Sequence, residues 1–244
     1  YMIEQAVILA GGLGTRLGEI TKNTPKPMVL INKKPFLEFL VCNLKRNGVK
    51  QIIFSTGYLA EQISTYFGDG SSYGLDFVYI EESEPLGTGG ALKFSSSLLD
   101  KIFLVLNGDS FFDFELIELD KILLTSENSL VAMALKFEKN TRRYGRVVLD
   151  GQYVKGYLEK GVDSNSGLIN AGVYLIKKEA LDFLPQGFCS LEYDLFPRIV
   201  EGQMIIGMEF SGYFIDIGLP VDLKKAQTEL ISWSENNNLF NYKR

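Results

Sequence analysis

Histidine is absent from the 244 residues of the sequence. Its absence excludes the Ser-His-Asp and Cys-His nucleophile systems, and it removes the usual general base and the commonest ligand of soft metals. Any metal must then be held by carboxylates, which are typical ligands of a hard cation such as Mg²⁺. The sequence therefore indicates chemistry that needs no histidine.

Cysteine is scarce, and long apolar runs and a basic excess are missing. The two cysteines, Cys42 and Cys189, have no paired spacing, which favours reduced thiols over a disulfide framework or a zinc site. An apolar run such as 102–106 is far too short to cross a membrane, and no signal-like segment opens the sequence, so we expect a cytoplasmic protein without a membrane partner. With a net charge of −5 we also expect no nucleic-acid partner.

A glycine-rich stretch near the start is the most informative part of the sequence. Residues 5–10 are apolar and partly β-branched, and they predict a buried strand that leads into glycines within 11–14. Glycines let backbone N–H groups approach a ligand closely. Arg16 adds a planar fork of donors, and Lys26, between two prolines, adds a compact charge. This combination predicts a phosphate-binding loop.

Two known phosphate-binding motifs do not fit this stretch. A P-loop requires Gly-Lys-Ser or Gly-Lys-Thr after its glycines, and none follows. The dinucleotide fingerprint, started at Gly12, has Leu17 where a sixth-position Gly or Ala is needed. A nicotinamide-dependent oxidoreductase is therefore disfavoured, and a plain glycine turn between strand and helix is the structural alternative.

Strand and helix patterns alternate over the first half of the sequence. Strands are predicted over 5–10, 51–55, 75–80 and 102–106, with helices over 35–48, 60–67 and 89–99. Further strands are predicted over 129–137, 144–149, 152–159, 168–176 and 213–217, with helices over 178–184, 193–201 and from Pro220. We predict an α/β fold with three layers and a mixed, mainly parallel central sheet. We expect a single domain, 2–244, with halves of about 2–128 and 129–244.

Two aspartates stand out as metal ligands. Asp109 directly follows a buried strand, at the edge where ligands collect in open α/β sheets, although a surface turn is the alternative. Asp216 lies between apolar residues that predict its burial, and a buried carboxylate needs a cation or several donors. Together they predict a two-carboxylate Mg²⁺ site. Such a site suits phosphoryl-type transfer to a nucleophile that is already ionised, for example a phosphate monoester.

The motifs taken together resemble those of the sugar-1-phosphate nucleotidyltransferase family over nearly the whole chain. In order, they are the glycine loop through Pro25-Lys26-Pro27 and the segments 85–90, 107–109, 159–160, 170–172 and 216–218. The resemblance implies a Rossmann-like α/β/α enzyme that joins a nucleoside triphosphate to a sugar 1-phosphate and releases pyrophosphate, with Mg²⁺ as cofactor. Many relatives carry a C-terminal extension, and we expect this chain to correspond to the catalytic domain. A homo-oligomer is left open.

The same resemblance implies roles for individual residues. The expected catalytic residues are Arg16, Lys26 and Asp109, and the expected metal ligands are Asp109 and Asp216. The expected nucleotide-binding residues are Leu9, Ala10, Gly11, Gly12, Gly14, Thr15, Glu82, Gly87, Thr88 and Gly108. The expected sugar-phosphate residues are Gly145, Glu159, Lys160 and Asn170.

Residues 85–90 suggest the base and the sugar. This segment looks most like that of guanylyltransferases that act on mannose-like sugars, particularly on D-glycero-α-D-manno-heptose 1-phosphate. Glu82, five residues before Gly87, could accept hydrogen bonds from guanine N1–H and N2–H₂, or it could be a solvated loop residue. The expected product is a nucleotide-sugar for surface glycan synthesis.

Other members of the class remain open: mannose-1-phosphate guanylyltransferases and uridylyl-, thymidylyl- or adenylyltransferases. A catalytically silent, regulatory nucleotide-sugar-binding protein is the alternative from another class. The presence of Arg16, Lys26, Asp109 and Asp216 argues against it, because a silent protein could lose any of them.

Overall fold

The structure is a computed structural model that describes residues 3–12, 14–144, 146–158 and 165–241. Gly145, Glu159 and Lys160, which the sequence assigns to sugar-phosphate binding, lie outside the described residues. Their roles stay predictions.

Strands and helices alternate along the first half of the chain, and strands predominate after residue 129. In chain order the strands are β1 (Gln5–Leu9), β2 (Leu30–Ile31), β3 (Lys34–Pro35), β4 (Gln51–Thr56), β5 (Asp76–Glu81), β6 (Ile102–Asn107), β7 (Ser110–Phe112), β8 (Val131–Glu138), β9 (Arg146–Asp150), β10 (Tyr153–Leu158), β11 (Gly167–Lys177), β12 (Ile205–Glu209) and β13 (Phe214–Asp216). The helices are α1 (Phe36–Arg46), α2 (Ala60–Phe67), α3 (Gly87–Phe94), α4 (Leu116–Leu124), α5 (Phe196–Val200) and α6 (Pro220–Asn236).

The chain divides into two compact units. The first unit contains Tyr1–Pro85, Leu106–Phe112 and Tyr213–Arg244, and the second contains Leu86–Val105 and Asp113–Gly212.

The first unit is built on parallel strands in the order β5-β4-β1. The middle of β1 is fully buried at Ala6, Val7 and Ile8, as expected for a strand covered on both faces. On β4, the fully buried ring of Phe54 lies 5.1 Å from the ring of Phe77, centroid to centroid, in an edge-on contact. Strand pairing and aromatic packing therefore hold the carboxyl ends of β1, β4 and β5 in place beside the glycine-rich loop.

A separate antiparallel pair, β7 with β13, also belongs to the first unit. Ser110 pairs with Asp216 in this ladder, and the Ile217 N–H donates to the Asp109 carbonyl at 3.0 Å. The pairing therefore brings together two aspartates that are far apart in the sequence.

The second unit contains the strands β11-β8-β12-β10-β9, in that order, beside the first part of β6, whose last residues belong to the first unit. β11 runs antiparallel to β8, β12 runs parallel to β8, and β10 is antiparallel to both β12 and β9. The β9–β10 hairpin turns at Asp150 and Gly151, as the sequence predicts. The predicted mixed α/β architecture is confirmed, including the antiparallel pairing after residue 129.

Several elements differ from the sequence prediction. β2, β3, β7, α4 and β12 were not predicted. β2, β3 and β7 are only two or three residues long, and β12 is interrupted by Gly207, which weakens the strand pattern. The helix predicted over 89–99 begins earlier, at Gly87, and ends at Phe94, with a short 3₁₀ turn at Ser96–Leu98. Both cysteines are free and buried, as expected. Across the described residues, every helix is too short or too polar to span a membrane.

Candidate active site

The glycine-rich loop leaves β1 and is anchored by backbone contacts on both sides. The Ala10 N–H donates to the Ser55 carbonyl at 2.7 Å, and the Gly108 N–H donates to the Leu9 carbonyl at 2.9 Å. A Cβ placed on Gly108 would lie only 2.7 Å from the Leu9 oxygen, so a side chain there would collide with backbone. Gly108 therefore packs directly against the start of the loop.

The loop turns at Gly14, whose φ of 65° lies in the left-handed region. A Cβ there would lie 3.0 Å from the Lys26 Cβ and 3.1 Å from the Thr21 Cγ2, so this position is crowded as well as left-handed. The Thr21 hydroxyl donates to the Gly14 carbonyl at 2.9 Å. The residues that follow form a 3₁₀ turn, Thr15–Thr21, which leaves Arg16 exposed.

Lys26 is buried, with 7% of its surface exposed, and it follows the loop in the short turn Lys26–Met28. Its Nζ donates to Asp109 Oδ2 at 2.5 Å, and the Asp109 side chain is 33% exposed. A buried ammonium without a counter-charge would be strongly unfavourable, so Asp109 stabilises Lys26 in this position. The two predicted catalytic residues are therefore in direct contact.

Asp216, Lys26 and Arg16 converge at Gly218. A Cβ placed there would lie 2.8 Å from Asp216 Oδ1, 3.3 Å from Lys26 Nζ and 3.6 Å from Arg16 Nη2. The Gly218 N–H also donates to Asp216 Oδ1 at 2.6 Å. The first unit thus gathers two cations and the carboxylates of Asp109 and Asp216 at the mouth of the glycine loop.

The expectation that Asp216 is buried is wrong. Its neighbours Ile215 and Ile217 are buried, whereas Asp216 is only half-buried. Successive residues of a strand point to opposite faces, so burial of the two isoleucines directs the aspartate away from the core. A ligand can therefore reach its carboxylate.

The donor set around Lys26 fits a hard cation completed by other ligands. Asp109 and Asp216 both lie beside the same ammonium, and carboxylate oxygens suit Mg²⁺. No cluster of three or more His, Cys, Asp or Glu side chains occurs in the described part of the chain, so two carboxylates would need water or phosphate oxygens to complete the shell.

Glu82 lies beside the glycine loop at the end of β5. A Cβ placed on Gly11 would lie 3.0 Å from Glu82 Oε1, and this same oxygen accepts a hydrogen bond from the Ser55 hydroxyl at 2.9 Å. Ser55 was not predicted as a site residue. Its position as a hydroxyl residue at the end of a predicted apolar strand was the signal that could have identified it. Glu82 is a fixed, half-buried carboxylate rather than a fully solvated loop residue.

The predicted nucleotide-binding residues Gly87 and Thr88 belong to the second unit, at the start of α3. A Cβ on Gly87 would lie 2.5 Å from the Cys189 carbonyl oxygen, which accepts from the N–H groups of Gly89 and Gly90 at 2.9 and 3.1 Å. The Thr88 hydroxyl donates to Glu192 Oε2 at 3.0 Å. The glycines of this motif therefore also allow the helix to pack closely against the segment at Cys189.

Asn170 lies in β11, where the pairing with β8 shifts register between Asn170 and Tyr174. Its Oδ1 accepts from the Gly172 N–H at 2.9 Å, and its Nδ2 donates to the Tyr174 hydroxyl at 2.7 Å. The side chain is half-buried, so part of it faces solvent. Asn170 is thus held rigidly by its own strand.

Comparison with known proteins identifies the class of protein. The family model described as Nucleotidyl transferase matches residues 5–232, which is nearly the whole chain. The chain belongs to the nucleotidyl transferase family.

Individual relatives and solved structures are similar to most of the chain. The chain is 43% identical, over 89% of its length, to D-glycero-alpha-D-manno-heptose 1-phosphate guanylyltransferase of Campylobacter jejuni, 96% of which is covered. It is 40% identical to the protein of that name from Aneurinibacillus thermoaerophilus, over 93% of the chain and 98% of the relative. The crystal structure of HddC from Yersinia pseudotuberculosis has a TM-score of 0.82 at 34% identity, with 93% and 100% of the two chains covered. HddC has also been solved in complex with GMP-PN.

Replacement of Gly108 by alanine tests its close contact with the start of the glycine loop. Because the added Cβ would lie 2.7 Å from the Leu9 oxygen, we expect the free energy of unfolding to fall by roughly 1–3 kcal/mol in urea titrations. Gly156→Ala is the matched control, since a Cβ there meets no atom within 4 Å. Equal stability of the two variants would show that the loop does not depend on this contact.

Proposed function

We propose that this protein transfers GMP from GTP to D-glycero-α-D-manno-heptose 1-phosphate, which yields a GDP-heptose and pyrophosphate. The observation that carries the proposal is the cluster of Arg16, Lys26, Asp109 and Asp216 beside the glycine loop. The named activities of the Campylobacter and Aneurinibacillus relatives support the choice of base and sugar. A role in surface glycan synthesis follows as part of the same proposal.

The reaction requires no histidine base because the nucleophile is already an anion. A phosphate oxygen of the sugar 1-phosphate attacks the α-phosphorus of GTP, one P–O bond forms, and the bond to the β-phosphate oxygen breaks. The electron pair of the broken bond stays on that oxygen, which leaves as part of pyrophosphate. No proton must be removed from the nucleophile, so the barrier is set mainly by charge and positioning.

Arg16 and Lys26 supply the positive charge that this approach needs. The sugar phosphate and the triphosphate are both anions, and two like charges ~4 Å apart repel by about 4 kcal/mol at an effective dielectric constant of 20. The exposed Arg16 guanidinium and the buried Lys26 ammonium lie within reach of one point, beside Gly218. We assign both to binding of the phosphates and to stabilisation of the charge that develops on transfer, while the loop residues from Leu9 to Thr15 hold the nucleotide through their backbone.

Asp109 and Asp216 are the proposed ligands of Mg²⁺. When bound, this ion would neutralise phosphate charge and orient the oxygens that it contacts. Asp109 also pairs with Lys26, so the ammonium lies beside the proposed metal site. The carboxylates are accessible, which suits an ion that keeps several waters.

Glu82 is the proposed guanine-recognition residue. Guanine presents two adjacent donors, N1–H and N2–H₂, and a carboxylate can accept from both. Ser55 donates to the carboxylate and holds it beside Gly11, in the loop that would carry the nucleotide. Uracil or thymine presents one donor between acceptors, which a carboxylate matches poorly.

Recognition of the sugar phosphate is assigned to Asn170, Glu159, Lys160 and Gly145. Asn170 keeps a partly exposed amide whose orientation is set by its neighbours. The other three assignments rest on the family resemblance. The single-domain organisation, the cytoplasmic location and the lack of a nucleic-acid partner also stay predictions.

A substrate panel tests the proposed function directly. We expect pyrophosphate release with GTP and heptose 1-phosphate to exceed that with ATP, CTP, UTP or dTTP, and to exceed that with mannose 1-phosphate or glucose 1-phosphate. Release should require a divalent cation. A higher rate with another pair would reassign the base or the sugar, and no release with any pair would favour a silent binding protein.

Asparagine substitutions test the metal ligands. Asp216→Asn should lower turnover at least about a hundredfold and raise the Mg²⁺ concentration required, because a charged ligand is lost. Asp109→Asn should do the same and also lower the melting temperature, because the buried Lys26 loses its counter-charge. Asp150→Asn, at a carboxylate whose side chain is 68% exposed, is the control. Near-normal turnover of either site variant would reject its role as a ligand.

Glu82→Gln tests base recognition. We expect kcat/KM for GTP to fall at least about tenfold, since a hydrogen bond to a charged group is replaced by an imperfect one, while the relative rate with UTP rises. Glu84→Gln, an exposed neighbour on the same loop, is the matched control. If the ratio of GTP to UTP activity is the same in both variants, guanine is recognised elsewhere.

A further inference from the structure

Glu192 is a half-buried carboxylate in the second unit, and neither the sequence motifs nor the proposed mechanism gives it a role. It lies in the first turn of the helical segment that begins at Leu191. Three hydroxyl groups donate to it within the described residues: Ser190 at 2.8 Å, Thr88 at 3.0 Å and Tyr174 at 3.5 Å. The first two share Oε2, whereas Tyr174 donates to Oε1.

The Tyr174 hydroxyl links Glu192 to Asn170. Burial raises the pKa of the Tyr174 hydroxyl well above its usual value, and the nearby Glu192 charge adds to this, so the hydroxyl stays protonated. The hydroxyl donates to the carboxylate over a long contact of 3.5 Å, and its oxygen accepts from the Asn170 amide N–H₂ at 2.7 Å.

The Asn170 amide is therefore fixed in one of its two flip orientations. Its N–H₂ faces Tyr174 and its oxygen faces the Gly172 N–H. An amide has two N–H donors and two oxygen lone pairs, so one of each remains for a ligand. A donor and an acceptor at fixed positions match the hydroxyl groups of a sugar.

We propose that Glu192 is a positioning residue which, through Tyr174, sets the Asn170 amide for recognition of the sugar 1-phosphate. The inference rests on the proposed function, which assigns Asn170 to the sugar. Glu192 touches neither substrate in this scheme, and its effect passes through two hydrogen bonds. Its second oxygen ties the same carboxylate to Thr88 at the start of α3, so one charge orders both segments.

Removal of either hydrogen bond should weaken sugar binding without a comparable effect on nucleotide. For Tyr174→Phe we expect KM for the sugar 1-phosphate to rise about fivefold to tenfold, with KM for GTP changed less than twofold. For Glu192→Gln we expect the same rise for the sugar 1-phosphate together with a smaller rise for GTP, because the contact with Thr88 is weakened as well. Asn170→Ala should show the same pattern as Tyr174→Phe. If Glu192 acts through Asn170, the double variant Glu192→Gln/Asn170→Ala should raise KM for the sugar 1-phosphate no further than Asn170→Ala alone.

Tyr157→Phe is the matched control. Tyr157 packs on Phe196, as Tyr174 does, with ring centroids 6.2 and 5.2 Å away, but its hydroxyl contacts the Met133 sulfur instead of Asn170. This variant should leave both KM values unchanged. Melting temperatures of all variants show whether a kinetic change reflects loss of the fold.

A second readout does not depend on catalysis. The side-chain amide of Asn170, assigned in ¹⁵N-labelled protein by its disappearance in Asn170→Ala, should give two resolved proton signals that exchange slowly with water. In Tyr174→Phe and Glu192→Gln these signals should shift and exchange faster, whereas Tyr157→Phe should leave them unchanged.

The possible failures are distinguishable. Absence of pyrophosphate release from the unaltered protein with every substrate pair would reject the proposed function, while the amide signals would still test the positional link. An active protein in which Asn170→Ala raises KM for the sugar phosphate, but Glu192→Gln and Tyr174→Phe do not, would overturn the inference alone. Additive effects in the double variant would do so as well.

Discussion

The ammonium of Lys26 is buried, and the carboxylate of Asp109 lies 2.5 Å from it. Because a buried charge without a partner is strongly unfavourable, this ion pair fixes the end of β6 relative to the turn that carries Lys26. The stem of the same lysine packs at Gly14, so the loop, the cation and the carboxylate are positioned together. Asp216 and Arg16 complete the cluster around this pair. Charge neutralisation and loop geometry thus depend on one contact.

The strand-and-helix pattern up to residue 106 was predictable because apolar periodicity is strong there. Strands interrupted by glycine or only three residues long, such as β12 and β7, give too little pattern to be recognised. Within the site, the predictions placed Asp109 and the glycine loop correctly at one end of β1 and β6. The sequence also predicted that Asp216 joins Asp109 in one metal site, but it did not predict the β7–β13 pairing of segments about a hundred residues apart that brings them together. The burial predicted for Asp216 is wrong because it was inferred from the apolar neighbours alone. Side chains alternate between the two faces of a strand, so buried neighbours place the aspartate on the opposite face.

Polar side chains in the second unit are organised differently. Glu192 of this unit is a carboxylate that accepts hydrogen bonds from neutral hydroxyls, and its proposed function is to orient rather than to neutralise. Sequence alone offered no route to Glu192, because it stands in no recognised motif and its partners come from α3 and β11. The Asn-Ala-Gly segment was recognisable by its position in the family order. Its physical basis, a left-handed Gly172 that allows a bulge and returns an N–H to Asn170, is visible only in the fold.

The glycines at the start of α3 bear on how a family of this kind can evolve. The N–H groups of Gly89 and Gly90 donate to the Cys189 carbonyl, and side chains at these positions or at Gly87 would collide with the segment at 187–189. A descendant that stopped turning over substrate would still need these glycines to pack its second unit. Their retention in a distant sequence is therefore weak evidence of activity. Loss of the exposed Arg16, which removes charge and little else, would be the earlier sign that a lineage had kept the fold and abandoned the reaction.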